Sequence, residues 1–405
     1  MILFLILFIC ILGELKYASK DKKKYVFFLF CFYLTYCVFD LVYLNLIYNR
    51  SFHFSDPSGY FEKASKANSI LDIFKLREEE TNIFYFIVNY IYESFYFSPW
   101  VVSAIVRLDN IALIIYTYLL VSQTTKKINA VDYILMLNPL LLTILARNVR
   151  DLYILLFIVL IFLSLKMLPS LKSYSSSMKY WVMALMLTIR PICLIPIAII
   201  LLLRFTKSHK ILGIVVCVFV LIFFYLNIDF VIQKVVGQFI SAATYVGEEE
   251  NDYLTLYQGE INIESIIPFI LRLIKAGVVL IFTPHPINFA ETWIGVNNIT
   301  GIYGIYTKLD CVMITLGALY SYLYIIPRII VLLFTCKAYK YEAFLYAIIF
   351  ALIYATAYLG ITDIRNHYIT YALFLIPMFS QLQDIRVSRN VYFIVGLFFI
   401  LICKL

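Results

Sequence analysis

With 405 residues, 63% of them hydrophobic and 14% charged, and a mean hydropathy of +0.90, the chain has too little polar surface for a water-soluble globule. Its net charge of +8 is not a nucleic-acid footprint, because the basic residues sit in short clusters between apolar runs instead of on one soluble face. What remains is an all-α polytopic membrane protein: a hydrocarbon core of about 30 Å takes roughly 20 apolar residues per helix, so the runs predict about 11–13 transmembrane helices. Residues 1–405 are expected to form a single integral membrane domain, with no internal repeat.

The first run, "MILFLILFICILGEL", lacks the basic n-region and small-residue cleavage site of a signal peptide and is expected to be a retained span. Six cation clusters follow or precede apolar runs: Lys20 to Lys24, Lys126 with Lys127, Lys166 to Lys179, Arg204 to Lys210, Lys337 with Lys340, and Arg386 with Arg389. The positive-inside rule assigns all six to the cytoplasm and the N-terminus to the outside. The remaining connections then face outward.

The first large outward loop, 50–99, contains "SFHFSDPSGYFEKASKANSILDIFKL". Asp56-Pro57-Ser58-Gly59 matches a type I turn, with Asp first, Pro second and Gly fourth. A rigid turn beside a span end suits a general base, and Asp56 is the candidate. Tyr60 and the amphipathic stretch to Leu76 predict a short interfacial helix.

Next comes the break "TILARNVRDLYILLF", which places Arg147, Arg150 and Asp151 between two apolar runs. A tight outward turn is expected at Arg190-Pro191, between two half-spans. The second large loop, 229–304, holds "GEEEND", an apolar segment 266–283 carrying Arg272 and Lys275, and "TPHPINFAETW", which fixes His285 between two prolines. The segment is expected to lie at the outer surface as an interfacial helix. The last outward connection, "ITDIRNH", contributes Arg365 and His367.

Arg147, Arg150, Arg190, Arg272, Lys275 and Arg365 thus fall near the outer leaflet, where the positive-inside rule disfavours them. Ionisable groups held at the boundary cost free energy and are functional candidates for that reason. Cations converging at one depth suggest an anion between them, and the pyrophosphate of a lipid carrier suits both the depth and the planar fork of arginine. The bland reading of each is snorkelling to headgroups or pairing with Asp151 or Asp363. The eight cysteines lie in apolar runs without CxxC or metal spacing and read as packing residues. No Gly-rich phosphate loop, HExxH, GxSxG or nicotinamide fingerprint occurs, so no metal, cofactor, ATP-driven or redox chemistry is expected.

Taken together, the lysine cluster after the first span, "DPSGY", the outward "RNVRD" turn, the Arg-Pro break, "LRLIKAGVVLIFTPHP" and "DIRNHYITYALFLIP" resemble the bacterial O-antigen and exopolysaccharide repeat-unit polymerases of the Wzy type. The resemblance implies a fold like the membrane-embedded glycosyltransferases of the C type, placed in the bacterial inner membrane and active at the periplasmic face in lipopolysaccharide biosynthesis. The implied substrates are undecaprenyl-pyrophosphate-linked oligosaccharides, with a polysaccharide chain-length regulator as a partner and no metal. Asp56 takes the role of base and Tyr60 orients it; Arg147, Arg150, Arg190 and Arg365 form the clamp on the leaving pyrophosphate; Arg272 and Lys275 hold the second carrier. His285 and His367 complete the substrate-binding candidates. No second catalytic carboxylate matches the family pattern. Two rivals stand beside this reading: a membrane glycosyltransferase using a polyprenyl-phosphate sugar, and a flippase for lipid-linked oligosaccharides.

Overall fold

The computed structural model describes residues 2–53, 56–75, 82–95, 98–125, 127–128, 130–168, 170, 172, 175, 177–209, 307–334, 342–357, 364–376 and 396. Among them the regular structure is helical throughout, without a strand. Four helical stretches are long and apolar enough to cross a membrane: Lys20–Tyr48, Pro99–Val121, Pro191–Ser208 and Lys308–Val331. The described part of the chain is therefore that of an all-α membrane protein.

Helix α1 (Ile2–Leu15) is followed by α2 (Lys20–Tyr48). Ser19 caps α2, its hydroxyl accepting the Lys22 amide at 3.4 Å, and the helix ends where Asn49 turns left-handed at φ 51°. Asparagine replaces glycine there because its short polar side chain tolerates that region best among residues with a Cβ. In the stretch that follows, expected as the first outward loop, the described residues form three helices: α3 (Asp56–Ser65), α4 (Ile70–Lys75) and α5 (Ile83–Phe95).

Asp56-Pro57-Ser58-Gly59 is the first turn of α3 and not an isolated turn. The reason is local, since the first step of a type I turn has nearly helical dihedrals and proline suits the opening turn of a helix. The expected interfacial helix is likewise divided, into α3 and α4.

Helix α6 (Pro99–Val121) starts with proline after Ser98, and α9 (Asp151–Ser164) runs beside it. Both are buried on nearly every side and form the centre of the bundle. Helices α1 and α2 pack on α6, while α10 (Met178–Ile189) packs on α9 and α5. Between α6 and α9 lie two short helices, α7 (Ala130–Met136) and α8 (Pro139–Leu145). The chain breaks between them at Asn138-Pro139, where Asn138 Oδ1 accepts the Leu140 amide at 3.0 Å. At its far end α9 closes in a Schellman motif: Lys166 is left-handed at φ 57°, and the Met167 amide bonds the Phe162 carbonyl at 2.8 Å.

Helix α10 ends at Arg190-Pro191, as the sequence predicts. A 3-10 turn, Pro191–Leu194, leads into α11 (Ile195–Ser208), which packs on a different neighbour, α14 (Glu342–Ala357). Helix α12 (Lys308–Tyr320) opens with a full capping box and lies against α8. The approach is close enough to require glycine, because a Cβ on Gly317 would stand 2.7 Å from the backbone nitrogen of Leu140. A π turn, Ser321–Ile325, links α12 to α13 (Ile326–Phe334). It falls just before Pro327, whose ring would clash with the carbonyl one turn earlier in an unbroken α-helix. Helix α15 (Ile364–Leu375) packs on α14, α8 and α9, and its first turn contains Arg365 and His367, which the sequence placed in a connection.

Large apolar side chains remain exposed on α1 (Ile6, Ile9), α2 (Phe27, Phe39, Leu46, Ile47) and α11 (Ile195, Leu203). Their exposure follows from the solvent these helices meet in a bilayer, which is as apolar as leucine.

Candidate functional site

The two ends of the bundle differ in chemistry. In α2, Lys22 and Asp40 are 18 positions apart, or about 27 Å along the axis, close to the thickness of a hydrocarbon core. The Lys22 end collects the connections that carry cations. There the Lys22 ammonium donates to the Ser122 carbonyl and to Thr125 Oγ1, the latter at 3.0 Å, and Lys172 meets Glu14 at 2.7 Å. Gln123 bonds both Glu14 and Ser170, and Arg204 binds Glu342 and the Leu165 carbonyl. Connections that the sequence grouped on one side thus meet at one end.

The Asp40 end holds a buried chain of charges. Arg107 on α6 donates to Asp40 Oδ2 at 2.8 Å. The same oxygen is 3.0 Å from His53 Nε2, in the segment between α2 and α3. His53 Nδ1 lies 3.2 Å from Asp310 Oδ2, an ion-pair contact without the alignment of a good hydrogen bond. Asp310 Oδ2 in turn is 3.0 Å from Arg147 and accepts the amide and hydroxyl of Thr307 at 3.0 and 2.9 Å. None of the five charged side chains is more than 5% exposed, so each is removed from solvent and depends on the others. The second oxygens of Asp40 and Asp310 have no hydrogen-bond partner among the described residues, nor does the buried hydroxyl of Tyr36, one turn before Asp40.

Burial opposes charging of His53, but the Asp310 and Asp40 carboxylates outweigh it and hold its pKa above the ordinary histidine value. The segment around it is tied down as well: Ser103 Oγ donates to the Ser51 carbonyl, and Arg107 donates to both Ser103 oxygens.

The turn that carries Arg147 and Arg150 is fixed from both flanks. Asn110 of α6 donates to the carbonyls of Leu145 and Arg147 at 3.1 and 2.7 Å, capping the end of α8. From α5, Tyr85 donates to Asn148 Oδ1, and Asn148 donates to Asn89 Oδ1 at 2.8 Å. Held in this way, the turn sends its two arginines to different partners. Arg147 goes to Asp310, while the Arg150 guanidinium lies over the Tyr60 ring, 5.9 Å from its centre. Tyr60 is itself buried edge-on against Tyr85 and Phe86, at 5.2 and 5.8 Å.

No family matches. Comparisons with protein-family models, with curated proteins and with solved structures all find no significant match for this chain.

Of the sequence-derived candidates, the structure joins Arg150 to Tyr60 and, through Tyr85, joins both to the fixed turn. Arg147 is present but committed to a carboxylate. Arg190 is buried at the C-terminal end of α10, its carbonyl accepting the Cys193 amide at 3.1 Å. Asp56 begins α3, and Arg365 and His367 lie in the first turn of α15; their side chains are outside the described residues. Arg272, Lys275 and His285 are outside the described residues altogether. Among the described residues, no group of three or more His, Cys, Asp or Glu side chains is arranged to hold a metal.

Four members of the charge chain, Asp40, His53, Arg107 and Asp310, escaped the sequence reading. A signal was there: "CVFDLVYL", "AIVRLDNIAL" and "KLDCVMIT" each place ionisable residues inside an apolar run, which is costly unless a partner waits. Charge at the turns between runs stands out in a sequence, whereas charge within a run is hidden by its apolar neighbours.

Proposed function

We propose that the chain is a glycosyltransferase of the bacterial inner membrane that polymerises undecaprenyl-pyrophosphate-linked oligosaccharide repeats at the periplasmic face, with a C-type membrane-glycosyltransferase architecture and multiple spans. The observation that carries this reading is the contact of Arg150 with Tyr60, which brings the "RNVRD" turn onto the "DPSGY" helix although about 90 residues separate them in the sequence. Those are two of the motifs on which the family resemblance rests.

In the reaction, the bond between the anomeric carbon of the growing glycan and its pyrophosphate breaks, and a bond to a hydroxyl of the incoming lipid-linked repeat forms. Asp56 takes the hydroxyl proton, and the departing pyrophosphate carries away the electron pair. Negative charge grows on the leaving oxygen, so a guanidinium already in place stabilises the transition state more than the ground state. Arg150 is that cation, with Tyr60 fixing its position. Arg147 holds the turn through Asp310, and Arg190 and Arg365 complete the clamp. Arg272, Lys275, His285 and His367 bind the second carrier and the glycans. A chain-length regulator is the protein partner.

One observation favours a second reading, a flippase for the same lipid-linked oligosaccharides: transporters use alternating buried charges of the Asp40–His53–Asp310 kind as proton relays. Deletion of the gene separates the two. A surface-polysaccharide ladder that collapses to core plus one repeat supports the polymerase, loss of every repeat supports the flippase or a sugar-adding enzyme, and an unchanged ladder refutes all of them. Within the polymerase reading, Arg150→Ala abolishes the ladder while Lys172→Ala, at the cation-rich end, leaves it intact.

A further inference from the structure

The contacts of His53 bear on its protonation whether or not the chain transfers sugars. A neutral imidazole has one N–H and one lone pair. Here each ring nitrogen lies within 3.2 Å of a carboxylate oxygen, Nε2 on Asp40 and Nδ1 on Asp310. With the neutral ring, one of these contacts would set a lone pair against an anionic oxygen in a site shielded from water. Only the imidazolium satisfies both carboxylates.

The surroundings oppose that charge as well as favour it. Asp40 and Asp310 are balanced by Arg107 and Arg147, so the proton on His53 gives the buried cluster a net charge of +1. Among the described residues, the other titratable groups near it are Tyr36, Cys37 and Tyr43 on α2, Tyr48 at the end of α2, and Cys311 beside Asp310 on α12. Phenols and thiols are ordinarily uncharged at neutral pH, so the anions that face the ring are the two carboxylates. Two near carboxylates hold the proton, while burial and the two guanidiniums push against it.

We propose that His53 is a proton-binding site inside the bundle, and that its proton ties the start of α12 to α2 and, through Asp310, fixes the direction of Arg147. When the proton leaves, one contact turns repulsive. The contact to Asp310 is the longer and less aligned of the two, and Asp310 keeps Thr307 and Arg147 as partners, so this is the one that opens. The loop that begins α3 then comes free of α12.

The test is nitrogen NMR of the full chain in lipid nanodiscs, with histidine labelled by nitrogen-15, from about pH 5.5 to pH 9. The chain has four histidines, and a variant with His209, His285 and His367 all changed to Gln leaves His53 alone to be observed. Should that variant not fold, the signal lost in His53→Gln gives the assignment. The expected result is that both ring nitrogens of His53 are protonated at pH 7.5. A neutral tautomer of His53 at pH 7.5 overturns the proposal. Asp310→Asn lowers the proton affinity of His53 about tenfold or more, and Asp40→Asn serves if Asp310→Asn does not fold. An unchanged titration in a folded variant of either kind also overturns it.

Discussion

The two ends of the bundle use charge in opposite ways. At the Lys22 end, Lys172 with Glu14 and Arg204 with Glu342 are separate pairs at the rim, and in each pair at least one side chain is over a third exposed. At the Asp40 end, five charges form one continuous chain with almost no access to solvent. Rim pairs contribute little, because water screens them and the flexible side chains lose entropy. Buried pairs are not strong stabilisers either, since desolvation offsets most of the attraction, yet removing one member strands the other at large cost. The contrast teaches that pairing at the cation-rich end is peripheral to the packing, whereas the chain at the other end ties together the start of α12, the segment before α3 and the Arg147 turn.

The sharpest way to break this contrast is to remove one buried partner. Arg107→Met leaves Asp40 facing His53 alone and is expected to destabilise the protein by about 3–5 kcal/mol, read as a loss of thermal stability in detergent. A change as small as that at the rim would show that the two ends are alike.

Next in size is Gly317→Ala, which tests the packing that sets α12 in place. The added methyl meets Leu140 backbone, which cannot swing away, and about 1–3 kcal/mol is expected from the overpacking. An unaltered melting temperature would mean that α12 and α8 can move apart freely.

The pH dependence sharpens the comparison further. Because the folded protein raises the pKa of His53 above 6.5, its contribution is fully present below about pH 6.5 and is lost as the pH rises through the higher folded-state value. Melting measured across that range is expected to fall in the wild type and to lose this slope in His53→Gln. The opposite trend, with stability gained from His53 as the pH rises, would exclude the charged form.

The smallest effect belongs to the rim. Arg204→Met is expected to cost less than about 1 kcal/mol, and raising the salt concentration should shrink even that. A loss comparable to Arg107→Met would reveal a second essential cluster.

Much of this fold was legible in the sequence because the signals are local. Apolar run length marked the helices, and the backbone chemistry of proline and arginine-rich breaks marked Arg147–Asp151 and Arg190-Pro191. The Asp56 turn was misjudged because the same four residues serve an isolated turn or a helix start, and only the chain beyond Gly59 decides between them. The helices of the first loop were missed in number because α5 is amphipathic and short, burying Tyr85, Phe86, Asn89 and Tyr92 against neighbours that the sequence does not name.

By itself, then, the sequence determined that this chain is helical, suited to lipid and charged at both ends of its spans, because each of those properties is a sum over neighbouring residues. The tertiary structure decided which charges meet. Asp40, His53, Arg107, Arg147 and Asp310 come from five separate stretches, and an ion pair forms only when packing carries its members from lipid-length separations to about 3 Å in a place without water. That energy depends on distance and dielectric, and neither is a property of the order of residues along the chain.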